Sequence, residues 1–142
     1  MQVVAIDRQD RLILVEQYRH GIGTLSLELP GGVIDPDDAD PVSAGRRELR
    51  EETGYGGGEW RLIASLAPNP AIQTNRCHAV LAQGVVLLGP PQPDTQEELR
   101  IVTMALPEAV RLATSGGMIQ AMHVAALALA LTAVGRWSGN PE

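Results

Sequence analysis

The chain has 142 residues, 44% hydrophobic and 20% charged, proportions that argue against disorder and supply enough apolar sequence for one real core. Its formal net charge is −6, with nine of the seventeen acidic residues between Glu28 and Glu59, which excludes nucleic acid as a partner unless a cation intervenes. All eleven cationic side chains are arginine, so a Walker-type phosphate lysine, a pyridoxal-phosphate Schiff base and a lysine general base are excluded together, while phosphate recognition by arginine forks is not.

Along the chain, Gln2 to Ile6 and Arg11 to Gln17 are expected to form a strand hairpin around the polar turn Asp7-Arg8-Gln9-Asp10. Leu25 to Leu29 reads as a short strand that enters the glycine-rich run Pro30-Gly31-Gly32. Next comes a helix with unusually clear limits: Asp40 suits the N-cap, Pro41 the first helical position and Gly54 the position just past the end. Inside it Val42 and Leu49, seven residues apart, mark the buried stripe. Trp60 to Leu66 and Cys77 to Gly84 are predicted strands flanking the rigid loop Pro68-Asn69-Pro70, with Val85 to Leu88 continuing the second after a bend at Gly84. Gly89-Pro90-Pro91-Gln92-Pro93 breaks the chain. Leu99 to Ala105 alternates as a strand, Pro107 to Thr114 begins a helix, and Gly116-Gly117 separates it from a long helix ending near Gly135. The apolar run from Met118 to Val134 is too short for a membrane span and contains Gln120 and His123, so a buried or interface helix is expected and no membrane partner. Strands alternating with helices, without repeat or linker, predict one domain over residues 1–142 of the α/β class: a mixed sheet between helices. The lone Cys77 reads as a small buried hydrophobe that forms no internal disulfide, and residues 1–7 turn polar too soon for a leader, so the cytoplasm is the expected location.

The chemistry concentrates in Arg47-Glu48-Leu49-Arg50-Glu51-Glu52-Thr53-Gly54. Residues three and four apart are neighbours on a helix, so Glu48 meets both Glu51 and Glu52, and like charges at that spacing repel. A positive group is needed there. The preceding glycine turn lets backbone carbonyls approach the same point, and a hard divalent cation takes such oxygen ligands together with substrate phosphates. An acidic helix beside a glycine turn therefore reads as a Mg²⁺–diphosphate site.

These residues resemble the signature of the Nudix hydrolases, G-x5-E-x7-R-E-U-x-E-E-x-G-U with U an aliphatic or bulky apolar residue. Gly32, Arg47, Glu48, Leu49, Glu51, Glu52 and Gly54 fit, and Tyr55 takes the last place. Two departures stand out: the spacing from Gly32 to Arg47 is one residue too long, and Asp38 is the nearest substitute for the first glutamate. The extra residue lies within Asp37-Asp38-Ala39-Asp40, before the helix, and is expected to lengthen the loop without rotating Glu48, Glu51 and Glu52. Gln17-Tyr18-Arg19, then Glu28-Leu29-Pro30-Gly31-Gly32, and Pro70 fifteen residues beyond Tyr55, are similar to the nucleoside-diphosphate-sugar group and especially to ADP-ribose pyrophosphatases.

The resemblance implies an α/β/α sandwich and a Mg²⁺-dependent hydrolase, with Mn²⁺ as substitute, acting on nucleoside diphosphates linked to another moiety. ADP-ribose comes first, giving AMP and ribose 5-phosphate. It implies Glu48 and Glu52 as first metal ligands, the Gly31 carbonyl as a third, Glu51 as ligand of a second metal or orienter of its water, and Arg47 as a structural partner of these carboxylates. For the general base it points to Glu97, or to Thr95 as in some relatives, while water on two metal ions can also dispense with a side-chain base. Substrate contacts are assigned to Arg19 on the diphosphate, Tyr18 on a base or in the core, Arg76 beside Asn75 and Gln73, and Glu28 as an orienting group. His20, His78 and His123 lack metal-ligand spacing and read as packing or surface residues. A homodimer is expected, through the alanine-rich last helix or a sheet edge. The competing reading is a non-catalytic nucleotide-sugar sensor of the same fold.

Overall fold

The computed structural model describes residues 1–92 and 98–137. In chain order the elements are β1 (Gln2–Asp7), β2 (Arg11–Arg19), β3 (Thr24–Glu28), α1 (Pro41–Thr53), β4 (Tyr55–Gly56), β5 (Glu59–Leu66), β6 (Cys77–Leu87), β7 (Arg100–Ala105), α2 (Leu106–Thr114) and α3 (Ala121–Ala133). The strands make one mixed sheet built on β2 and β6. Along β2, Ile13 has Ala5 of β1 on one side and Thr103 of β7 on the other, while Val15 has Glu28 of β3 and Ile101 of β7. β1 and β3 thus share one edge of β2. β6 runs parallel to β1 and antiparallel to β5 and β4.

The first hairpin closes as its sequence predicts: Asp7 Oδ1 accepts the backbone N–H groups of Gln9 and Arg11, each at 2.9 Å. β2 runs past its expected end at Gln17 to pair Arg19 with Thr24. Side chains alternate along strands and paired residues share a face, so this extension puts Arg19 on the face that carries Glu28. β6 likewise continues through Gly84, which is looped out where the register jumps from Ile6↔Gln83 to Asp7↔Val85.

The period of two buries both faces. Val3, Ala5 and Ile13 pack with Ala44 and Leu49 of α1, whereas Val4, Ile6, Leu12 and Leu14 pack with Ala109 of α2 and Leu127 and Leu131 of α3. This is the expected mixed sheet between helices. Two local expectations change. The short β4 lies in the glycine-rich run after α1, which carries no strand pattern, and forms because Tyr55 and Gly56 pair with Leu87 and Val86. The last helix starts at Ala121, well after Gly117: the N–H groups of Gly117 and Met118 both bond Leu112 O, closing α2, and Met118 is buried as an apolar plug. No helix among the described residues is long and apolar enough to cross a membrane.

Candidate active site

The register of α1 follows from its ends. Asp40 Oδ1 accepts the Ser43 N–H at 2.7 Å, Pro41 opens the helix, and the Gly54 N–H closes on Arg50 O in a left-handed C-cap. With Ala44 and Leu49 fully buried against the sheet, Glu48, Glu51 and Glu52 are turned toward the Pro30-Gly31-Gly32 turn. Glu52 is only 5% exposed, and its Oε2 accepts the Gly31 N–H at 3.0 Å. Gly31 is required: it has φ +154°, and a Cβ there would collide with the Met1 backbone carbonyl, whereas a Cβ at Gly32 would meet only the movable end of the Glu48 side chain.

Arg47 is the hub of the acidic cluster. Its Nε and Nη2 donate to the two Asp38 oxygens at 3.2 and 2.9 Å, and its Nη1 donates to Glu48 Oε1 at 3.0 Å and Glu51 Oε2 at 3.1 Å. Asp35 approaches Nη2 at 3.3 Å, and Nη2 also donates to the Val33 carbonyl at 3.1 Å. The hydrogen bonds from Arg47 hold the Asp38 carboxyl below its ordinary range, and in return Asp38, with Glu48 and Glu51, raises the guanidinium above its own. Asp38 stands six residues after Gly32, where the signature has its first glutamate, and takes the fork of Arg47 despite its shorter side chain. The extra residue is absorbed between Asp38 and the start of α1 at Pro41, and the three glutamates keep their common face.

Between the turn and α1 opens a cleft of about 460 Å³, lined by Gly31, Gly32, Glu48, Glu51, Glu52 and Gln92 among others. Gln92 was hidden inside the sequence Gly89–Pro93, which reads only as a break. Its backbone N–H bonds Glu51 O at 2.7 Å, and Arg50 Nη1 binds the Gly54 and Pro90 carbonyls, so the break is laced to the end of α1. No sequence pattern marks this residue; only the pairing does.

A second group of predicted residues assembles around β3 and lies outside this cleft. Arg19 donates through Nε and Nη2 to the two oxygens of Glu28, at 2.9 and 2.6 Å, and Glu28 is 1% exposed. Burial pushes the Glu28 carboxyl up, but the Arg19 fork and nearby charge outweigh it and leave it below its ordinary value. His123 of α3 completes the group, as sequence reading had it only in part: it is a packing residue, but one whose Nδ1 accepts the Leu29 N–H at 2.9 Å. Its Nε2 stands 3.9 Å from Glu28 Oε2, and burial lowers its pKa to about 4, so it is neutral at pH 7. Tyr18 is half exposed, edge-on to His20 with ring centroids 5.0 Å apart, which removes the core alternative for it. Arg76 is exposed in the loop before β6. Glu97, like Thr95, lies outside the described residues.

The donor set can be tested against a divalent cation. Among the described residues no three acidic, histidine or cysteine side chains stand close enough to enclose an ion by themselves. Mg²⁺ does not ask for that: it keeps several waters and takes one or two carboxylates plus phosphate oxygens. Glu48 and Glu52, one turn apart on a helix and fronting an open cleft, fit such a cation and not a closed protein cage.

Sequence and fold are similar to those of known proteins. An ADP-ribose pyrophosphatase of Mycobacterium tuberculosis is 30% identical over 141 residues, covering 99% of this chain and 68% of that protein. A CMP-5'-(N-acetyl-N-hydroxy-3-aminopropyl)phosphonate hydrolase of Streptomyces rubellomurinus is 34% identical over 115 residues, and there the chain spans only 54% of the relative. Among solved structures, an ADP compounds hydrolase superposes with a TM-score of 0.81 at 29% identity, over 96% of this chain and 74% of its own. The NUDIX domain profile matches residues 1–122. A match that runs from Met1 past Gln92 takes in the whole cleft together with the sheet that positions it, and on that ground the chain belongs to the Nudix hydrolase family.

Proposed function

We propose that the protein hydrolyses the diphosphate bond of nucleoside diphosphates linked to another moiety, with Mg²⁺ as cofactor, Mn²⁺ as substitute and ADP-ribose as first substrate. The observation that carries this reading is the convergence of Glu48, Glu51 and Glu52 with the Gly31-Gly32 turn on one cleft. Water adds across the phosphoanhydride, its oxygen bonding one phosphorus as the bridging oxygen leaves with the other, to give AMP and ribose 5-phosphate. Glu48 and Glu52 would hold the metal with the Gly31 carbonyl. Bound there, the cation supplies charge neutralisation on the diphosphate and a more acidic water. Arg47 keeps Glu48 and Glu51 in place by charge-assisted bonds. Glu51, 44% exposed at the cleft, would orient the attacking water and take its proton, a role shared in this reading with Glu97. Arg19, set by Glu28, would meet the diphosphate, with Tyr18 against the base and Arg76 as a second substrate contact.

The same reading has the protein act as one domain, in the cytoplasm, and as a homodimer. Support for the dimer comes from α3, which carries no charged residue from Ala121 to Ala133 and exposes Leu129. Sedimentation velocity at micromolar concentration reads the assembly directly, and a monomer would remove that part.

Activity is tested on ADP-ribose, GDP-mannose, diadenosine polyphosphates, coenzyme A and nucleoside triphosphates, with and without Mg²⁺, followed by product identification. Magnesium-dependent release of AMP and ribose 5-phosphate above all other products is the expected result. Folded protein that binds ADP-ribose yet cleaves nothing would overturn the catalytic reading in favour of a sensor.

A further inference from the structure

We infer that His123 is a positioning residue for the active-site turn: from α3 it fixes the Leu29 amide and so sets the approach of Gly31 to Glu52. The inference rests on the metal reading of Glu48 and Glu52 and extends it to a residue that touches neither.

Hydrogen bonds hold the turn along its length, among them one from the Met1 ammonium to the Gly32 carbonyl. Leu29 N–H bonds His123 Nδ1 at 2.9 Å, Val3 N–H bonds the Pro30 carbonyl at 2.8 Å, and Gly31 N–H bonds Glu52 Oε2 at 3.0 Å. Pro30 has no N–H to give. Leu29 is therefore the last amide donor before the cradle, and a side chain 94 residues away takes its bond. Leu29 and His123 are 2% and 5% exposed, so water does not replace that bond when it is lost, and a buried donor without partner is costly. The turn is consequently gripped from both helical layers, by Glu52 of α1 and by His123 of α3. Nδ1 accepts only while it carries no proton, and the burial that keeps the ring neutral at pH 7 preserves the tie.

The variants His123→Leu, His123→Asn and His123→Gln separate the positioning role from simple packing. Leucine fills the site without an acceptor, asparagine sets an amide oxygen close to the place of Nδ1, and glutamine carries its oxygen past it. Mn²⁺ binding is followed by electron paramagnetic resonance without substrate, alongside the Mg²⁺ concentration for half-maximal turnover and amide exchange at Leu29 and Gly31. We expect His123→Leu to weaken Mn²⁺ binding about tenfold, the lower end of what partners behind metal ligands contribute, and to raise the Mg²⁺ requirement in step. His123→Asn should recover most of the loss, with exchange at both amides rising only in the leucine and glutamine variants. Folded His123→Leu protein that binds Mn²⁺ as the parent does, or asparagine no better than leucine, overturns the inference. Should the leucine variant not fold, the asparagine and glutamine proteins decide it by the same contrast. If the parent binds no Mn²⁺, the metal reading fails instead; exchange then judges the tie alone, which falls if Gly31 is unaffected when Leu29 is released.

Discussion

Two nearly buried carboxylates stand at the two ends of one glycine turn, and they are held in opposite ways. Glu28 takes both prongs of Arg19, so its charge is answered inside the fold. On the α1 side a single guanidinium is divided among Asp35, Asp38, Glu48 and Glu51, with Glu52 beside them on a peptide N–H. The first arrangement is near neutral and closed; the second keeps an excess of negative charge facing a cleft. A surplus of carboxylates around an opening attracts a cation, whereas a buried matched pair mainly fixes geometry. The difference separates the chemistry of the site from its support.

The sharpest way to break that comparison is Glu52→Gln. Losing the charge should cost about a thousandfold in kcat/KM with Mg²⁺, the several kcal/mol expected of a Lewis acid, while the fold persists because the amide oxygen still accepts from Gly31. Unchanged turnover would make α1 an ordinary acidic helix. Next in size is acid sensitivity on the β3 side. The pKa of His123 falls from 6.5 unfolded to about 4 folded, so between those values the unfolded chain binds a proton that the folded one does not. Stability should therefore fall by about 3 kcal/mol as pH drops from 6.5 to 4 and then level in this term. Glu28, whose folded value is depressed, adds a further loss at lower pH, as it is protonated. Chemical denaturation of the parent and of His123→Asn at several pH values reads the slope, and an equal slope in both would remove His123 as its source.

Arg47→Ala should act on the other side and in the other way. In metal-free buffer it should lower Tm by about 5 °C, and added Mg²⁺ should narrow the gap to the parent, since a cation replaces part of the missing charge. A gap indifferent to Mg²⁺ would mean that the hub and the cation site are separate. The smallest effect is expected at Asp38. Restoring the signature residue with Asp38→Glu should leave kcat/KM within about threefold, because the fork of Arg47 already has its partner; Asp38→Asn should cost more. A steady-state comparison of the two variants checks the ordering.

The sequence read the α1 side better than the β3 side, and the reason is physical. A helix repeats its neighbours every three to four residues, so Glu48, Glu51, Glu52 and Arg47 announce their proximity locally, as do the caps at Asp40 and Gly54. The partners of Glu28 and Leu29 are set by tertiary packing. His123 sits in an apolar helix whose pattern says only that it is buried, and nothing local ties it to Leu29. Gln92 escaped for the same reason, because proline-rich sequence declares a break and not what the break is pinned to. β4 was missed because pairing with β6 overrides glycine's weak strand preference. At Asp38 the spacing looked defective, yet a loop ahead of a capped helix takes up an added residue at little entropic cost.

The span of the Leu29–His123 tie also bears on biosynthesis. A nascent chain that has emerged as far as Gln92 already holds the described residues that line the cleft. It lacks β7, α2, α3 and the imidazole that anchors the turn. Because contacts so distant in sequence form only after the intervening chain has been made and closed, assembly of the turn waits on the last helix. The ribosome thus releases the acidic helix long before it releases the means to aim it.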